Sequence, residues 1–221
     1  MNNTMDVLAH SLLFSGLPAD QLRQIADIAV TRKLARNTTV FHEGDPGVGF
    51  YMVAAGKVKI YKMSPDGKEQ ILHIFGVGEP FGEVPVFHGN PFPANAATLA
   101  ETELIFFPRP AFVELITRTP SLALNMLAVL AQRLRHFATQ IENLSLKEVP
   151  GRLATYLGYL VEEQERGDFV VLDIPKGQLA SLLGTSSETL SRIFARMTDE
   201  GLIRVEGKTI HLLDQAALRE R

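Results

Sequence analysis

The chain has 221 residues, 46% of them hydrophobic and 21% charged. That balance builds a real core and excludes a disordered or fibrous chain. The chain has no cysteine, which excludes disulfides, thiolate zinc sites, iron–sulfur clusters and thiol catalysis. The formal charge of −3 gives no global sign of a nucleic-acid partner. Met1 to His10 contains Asp6 and lacks a basic start before an apolar core, so no secretory signal is predicted. Apolar runs are broken by charges before ~18 residues, too short for a membrane span. The expectation is a cytoplasmic protein.

The chain reads as three consecutive zones. In the first, residues 1–119, Pro18 to Val30 carries Leu22, Ile25, Ile28 and Ala29 on one face, predicting a helix. Short β-type runs come next: Val40-Phe41, Phe50 to Val53, Lys57 to Tyr61 and Ile71 to Phe75. Glycines punctuate them, and Ser64-Pro65-Asp66-Gly67 reads as a hairpin turn. Short antiparallel strands at regular spacing predict a β-barrel or jelly-roll sandwich. With the helical second and third zones, the fold class is α+β.

The second zone, residues 120–146, predicts a long helix from Ser121 to Leu146. Leu127, Leu130, Leu134, Phe137, Ile141 and Leu144 recur at alternating spacings of 3 and 4, a heptad seam. Gln132, Arg133, Arg135, Gln140 and Glu142 fall on the other face. The seam either packs on the chain's own β-domain or pairs with a second copy. The second reading, a parallel helix pair on a homodimer axis, is preferred, and the third zone strengthens it.

The third zone is residues 147–221. Pro150-Gly151 predicts a hinge, followed by a helix from Arg152 to Gln164 and a strand from Phe169 to Ile174. Two short helical segments then flank Gly184-Thr185-Ser186. Leu179, Ala180, Leu182 and Leu183 line the inner face of the first; Leu190, Ile193, Phe194 and Met197 line that of the second. Ser186 is placed to cap the second helix. A hairpin closes the zone: Ile203 to Val205, the turn Glu206-Gly207-Lys208, and Thr209 to Leu213. This is a helix-turn-helix with a β-wing.

The outer face of the second helix presents Ser187, Glu188, Ser191, Arg192 and Arg196. An arginine there can bond two acceptors on guanine, and a glutamate one turn earlier can accept from cytosine N4 or orient the arginine. Thr185, Ser186, Lys208 and Thr209 are placed for backbone phosphates. The bland alternative, a surface i,i+4 pair of Glu188 and Arg192, is outweighed by the agreement of turn, cap, face and wing. From Pro150 on, 9 Lys and Arg stand against 11 Asp and Glu, so non-specific DNA affinity should be modest. No P-loop, nucleophile elbow, Rossmann glycine pattern or paired-histidine metal motif is present, which predicts a protein that is not an enzyme.

These motifs, in this order, resemble the cyclic AMP receptor protein and fumarate–nitrate regulator (CRP/FNR) superfamily of bacterial transcription factors. V-F-H-E-G-D from Val40, A-G-K-V-K-I-Y from Ala55 and G-V-G-E-P-F-G-E ending at Glu83 are similar to its cyclic-nucleotide-binding fold. Glu188, Ser191 and Arg192 match the E-x-x-S-R pattern of the fumarate–nitrate type. The resemblance implies a homodimer on double-stranded palindromic DNA with TTGAT- or TTGTGA-like half-sites, and RNA polymerase as a partner.

The effector is read residue by residue. Gly82-Glu83 matches the family's Gly-Glu pair, but Pro93-Ala94 stand where its phosphate-binding Arg-Ser is expected, and Phe137-Ala138 where its adenine-reading hydroxyls are. No Arg or Lys lies between Lys68 and Arg109. Burying a cyclic phosphate with no cation is costly. That argues against a cyclic nucleotide and leaves Gly82-Glu83 as scaffold. The expectation is instead an apolar effector pocket around Gly82-Glu83, formed by Phe81, Val84, Val86, Phe87, Pro91, Phe92, Pro93, Leu127 and Leu130. The chain is similar to the haem-containing nitric-oxide regulators of the superfamily in lacking the phosphate arginine and in its N-L-S-L-K segment at Asn143. That implies haem responding to nitric oxide or carbon monoxide, with His73, His88 and His136 as candidate axial ligands ahead of His10, His42 and His211. An apolar or aromatic effector is the alternative.

Overall fold

The computed structural model describes residues 2–11 and 13–219. The chain divides between Leu134 and Arg135 into two compact units. The N-terminal unit begins with α1 (Asn2–His10) and α2 (Ala19–Asp27). Five strands come next: β1 (Val30–Leu34), β2 (Thr39–Phe41), β3 (Gly49–Ala55), β4 (Val58–Met63) and β5 (Glu69–Phe75). Then come β6 (Pro80–Phe81), α3 (Val84–His88), β7 (Asn95–Thr98), β8 (Thr102–Pro108) and α4 (Arg109–Arg118). The helix α5 (Pro120–Leu146) runs on through the division between the units.

The strands form two four-stranded antiparallel sheets, ordered β1-β8-β3-β6 and β2-β7-β4-β5. The architecture is a double sheet rather than a closed barrel. Phe41, Val58, Phe75, Phe81, Phe92 and Leu104 belong to one core, with Tyr51, Val53 and Phe106. The opposite side chains of β3 and β8, Phe50, Met52, Ile105 and Phe107, join a second core with residues of the helices: Leu8, Ile25, Phe112, Leu122 and Met126. Strands β3 and β8 are therefore apolar on both faces. That is why Leu104-Ile105-Phe106-Phe107 shows no alternation, and why strand β8 does not stand out in the sequence pattern.

Several boundaries differ from expectation for local reasons. The helix expected over Pro18 to Val30 ends at Asp27, because Val30 to Leu34 pairs with Phe106 to Thr102 of β8. The long helix starts at Pro120 rather than Ser121; proline suits a first turn, where its missing N–H would be unbonded anyway.

The C-terminal unit holds α6 (Val149–Gln164), β9 (Phe169–Val171), α7 (Lys176–Leu182), α8 (Ser187–Asp199), β10 (Ile203–Glu206), β11 (Thr209–Leu212) and α9 (Gln215–Arg219). Pro150 and Gly151 are not the hinge: both lie inside the first turn of α6. The helical path breaks at Glu148, whose backbone is extended. The strand expected to reach Ile174 stops at Val171, and Leu172 N–H bonds Lys208 O as the chain turns toward Pro175, which caps α7. The sheet order is β10-β11-β9.

Candidate nucleic-acid interface

The turn between α7 and α8 is built locally. Gly184 takes φ +65°, a left-handed conformation open to glycine, and Thr185 N–H returns to Ala180 O. Ser186 is the N-cap of α8, its Oγ accepting from Thr189 N–H at 3.1 Å. Leu190, Ile193, Phe194 and Met197 are buried, as the helical spacing required. Lys176 on α7 stands over the Phe194 ring, 4.9 Å from its centre. These contacts fix the rotation of α8 about its axis.

The opposite face is open. Ser186, Ser187, Glu188, Ser191, Arg192 and Arg196 are all exposed, and Thr185 is half-buried. Arg192 Nη2 donates to Thr189 Oγ1 at 3.3 Å. Among the described residues Glu188 and Arg192 form no ion pair with each other, so the surface-pair alternative has no contact behind it. The wing turn at Gly207-Lys208 leaves Lys208 exposed, with Thr209 half-buried beside it. The hydroxyls, the guanidinium and the wing ammonium suit a phosphate backbone and base edges.

In the N-terminal unit, the residues expected to form one effector pocket are divided. Phe81 and Phe92 are buried in the core between the sheets, where Phe92 stacks on Phe41 at 3.7 Å between centres. Val86 belongs to the other core. Val84, Phe87, Leu127 and Leu130 are exposed in the single chain. Gly82 has φ +74°, and a Cβ there would come within 3.1–3.2 Å of Phe92 and Phe41, so the aromatic stack sits directly on the backbone.

Two cations that the linear sequence does not reveal stand here. Arg133 of α5 forms an ion pair with Glu83 and donates to Pro80 O, its guanidinium lying over the Phe75 ring. Lys62 of β4 pairs with Glu43 and donates to Pro93 O at 3.0 Å. The expectation that no cation stands near Pro93-Ala94 is therefore incorrect, and Glu83 is more than scaffold. Both cations come from outside the Lys68–Arg109 window, where a linear scan does not look.

The histidines do not converge. His73 is half-buried, 3.9 Å from Glu79 and edge-on to Phe75. His88 is exposed and bonded to Asn90. His136 is exposed on α5. Among the described residues, no group of histidine and carboxylate side chains is arranged to hold a metal ion. On α5, Leu122, Met126 and Val129 face inward. Leu127, Leu130, Leu134, Phe137, Ile141 and Leu144 are exposed, Leu134 at 73% and Ile141 at 65%. No single described helix is long and apolar enough to cross a membrane.

A double-sheet sensor unit joined by a long helix to a winged helix-turn-helix defines a ligand-binding DNA-reading regulator. Residues 31–119 match the cyclic nucleotide-binding domain family, and residues 151–221 match the Crp-like helix-turn-helix domain. A CRP-like cAMP-activated global transcriptional regulator of Mycobacterium tuberculosis is 33% identical over 220 residues, 98% of each chain. The cyclic AMP receptor protein of Thermus thermophilus is 33% identical over 95% of this chain and 96% of its own. The structure of the c-di-GMP-responsive regulator CLP from Xanthomonas campestris is 25% identical, with a TM-score of 0.77 over 89% of this chain and 100% of that one. The chain belongs to the CRP/FNR family of transcription regulators, and it is not an enzyme.

Proposed function

We propose that the protein is a homodimeric regulator that reads palindromic DNA through α8, under control of a ligand of its N-terminal unit. One observation carries the reading: Glu188, Ser191 and Arg192 are exposed on one face of α8 while Leu190, Ile193, Phe194 and Met197 on its other face are buried. Arg192 reads guanine, Glu188 and Ser191 add base contacts, and Thr185, Ser186, Ser187, Arg196, Lys208 and Thr209 hold phosphates. Dimerisation through α5 is supported by the exposed seam from Leu127 to Leu144, six apolar side chains at heptad spacing left open in the single chain. Functionally the chain divides into a sensor (1–119), a dimer helix (120–146) and a DNA reader (147–221). RNA polymerase is the expected partner on DNA, and the cytoplasm the place of work. The test is retardation of TTGAT- and TTGTGA-type palindromes against random duplexes; no preference would reject the reading.

Haem has less behind it in this chain: His73 lies beside Glu79 and Phe75, His88 and His136 are exposed, and Phe92 stacks on Phe41 behind Gly82. An apolar or aromatic effector fits better, because Val84, Phe87, Leu127 and Leu130 present apolar surface on α3 and α5. A cyclic nucleotide is the second reading. It is favoured by the cations Lys62 and Arg133 beside Pro93 and Glu83, and by the names of the relatives from M. tuberculosis and T. thermophilus. Haem, nitric oxide, carbon monoxide and cyclic AMP are each tested by titration against a labelled operator.

A further inference from the structure

The wing hairpin carries a charge arrangement that DNA reading by α8 does not use. Strand alternation puts Ile203 of β10, with Ile210 and Leu212 of β11, on the buried side. Arg204 and Glu206 of β10, with Thr209 and His211 of β11, share the other side. Arg204 lies directly opposite His211, and Glu206 opposite Thr209. The Glu206 carboxylate joins the two basic side chains. Its Oε1 is 2.9 Å from Arg204 Nε, and its Oε2 is 3.2 Å from His211 Nε2. Behind the pair, on β9, Phe169 stands beside the His211 ring, with the Arg166 guanidinium 5.2 Å from the Phe169 ring centre. Lys208 stands one residue beyond the turn glycine.

An exposed ion pair of this kind adds little to stability. Its consequence is for DNA. A wing approaches the phosphate backbone, and affinity there grows with each cation that replaces a counterion. Here the wing sets a carboxylate next to its own phosphate-seeking lysine, and that carboxylate occupies both oxygens on the basic groups nearest to it. We propose that Glu206 is a brake on non-specific DNA binding: it holds Arg204 and His211 away from phosphates, so that affinity depends on base contacts from α8. Arg204 and His211 are then latent phosphate ligands. This rests on the DNA-reading function proposed for α8. It accords with a third zone in which acidic residues outnumber basic ones, a composition that already limits non-specific affinity.

The test compares the full-length protein with Glu206→Gln and Glu206→Asp, on random-sequence and palindromic duplexes, across a salt series at pH 7. Glu206→Gln should bind random duplex several-fold more tightly. Its log–log salt slope should steepen by about 0.9, the value for one added phosphate contact by Arg204. The ratio of specific to random affinity should fall. Glu206→Asp should stay close to the parent, and adding Arg204→Gln to Glu206→Gln should restore the parent slope. A Glu206→Gln protein of native circular dichroism with unchanged or weaker random-duplex binding overturns the proposal while the DNA reading stands. If the parent retards no duplex even at low salt, the DNA reading itself is wrong.

Discussion

Arg133 and Glu83 are 50 positions apart in sequence and form an ion pair that is largely withdrawn from water, with side chains 19% and 10% exposed. The pair ties the long helix α5 to the start of α3. Arg133 also caps Pro80 O and lies against Phe75, so the guanidinium satisfies a carbonyl, a carboxylate and an aromatic face at once. Removing one partner of such a pair leaves a poorly solvated charge. Arg133→Met should therefore cost on the order of 3 kcal/mol in urea unfolding. Arg133→Met with Glu83→Gln together should cost less than the sum of the two singles. Additive losses would show that the two side chains act independently.

Arg192 is held by Thr189 and exposed, and the proposed function makes it the base reader. Arg192→Ala should cost ~1–3 kcal/mol per half-site on the palindrome and relax the choice at the guanine. Binding titrations on operator, guanine-substituted operator and random duplex separate the cases. Equal loss on all three would leave only a phosphate contact.

Leu134 and Ile141 are exposed in the single chain, so glutamate at either place leaves the monomer fold intact. In a helix pair the same glutamate would be buried without a cation. Leu134→Glu and Ile141→Glu should therefore sediment as monomers and lose operator binding, with unchanged circular dichroism. A variant that stays dimeric would move the two-fold contact to another surface.

How much of the fold and site is legible in the sequence depends on how local each signal is. The α7–turn–α8 segment is readable because its glycine, cap and 3.6-residue apolar period lie within about twenty positions of one another. The α5 seam is readable for the same reason, but periodicity does not say what covers it; that it is open in the single chain comes from the structure. Strand β8 is not, because burial on both faces erases alternation. Pro150-Gly151 misleads as a hinge because proline stops a helix only from within; in the first turn it starts one. Lys62 and Arg133 escape notice because each meets its partner across a sheet or a helix face, and distance along the chain carries no trace of that. The pocket fails as a unit because apolar type does not say which of two cores a residue joins.

Glu79 gives a pH-dependent prediction. Burial pushes its carboxyl up, but the His73 hydrogen bond, the Gly76 N–H and the charges of His73 and Arg133 outweigh that and hold it below the usual carboxylate range. A lowered folded-state value contributes stability above the unfolded carboxylate range and loses it as pH falls through the folded value. Glu79→Gln should therefore be less stable than the parent near neutrality, and the gap should close in acid. A gap independent of pH would mean that the Glu79 charge is not what stabilises the fold.

The switch has one covalent route between the units, α5 and then the break at Lys147-Glu148, with Glu148 extended before α6. A ligand acts on DNA affinity only by favouring one arrangement of that route over another, typically by about 1–3 kcal/mol, roughly 5- to 150-fold. The two cations are already committed, Arg133 to Glu83 and Lys62 to Glu43. A cyclic phosphate would have to displace a carboxylate from one of them. Cyclic AMP should therefore leave operator affinity unchanged, whereas an apolar effector bound at Leu127 and Leu130 on α5 should shift it several-fold. Titration of a labelled operator decides. If cyclic AMP tightens the complex at micromolar concentration and Arg133→Met abolishes the effect, the Glu83–Arg133 pair opens to take the phosphate and the second effector reading is the correct one.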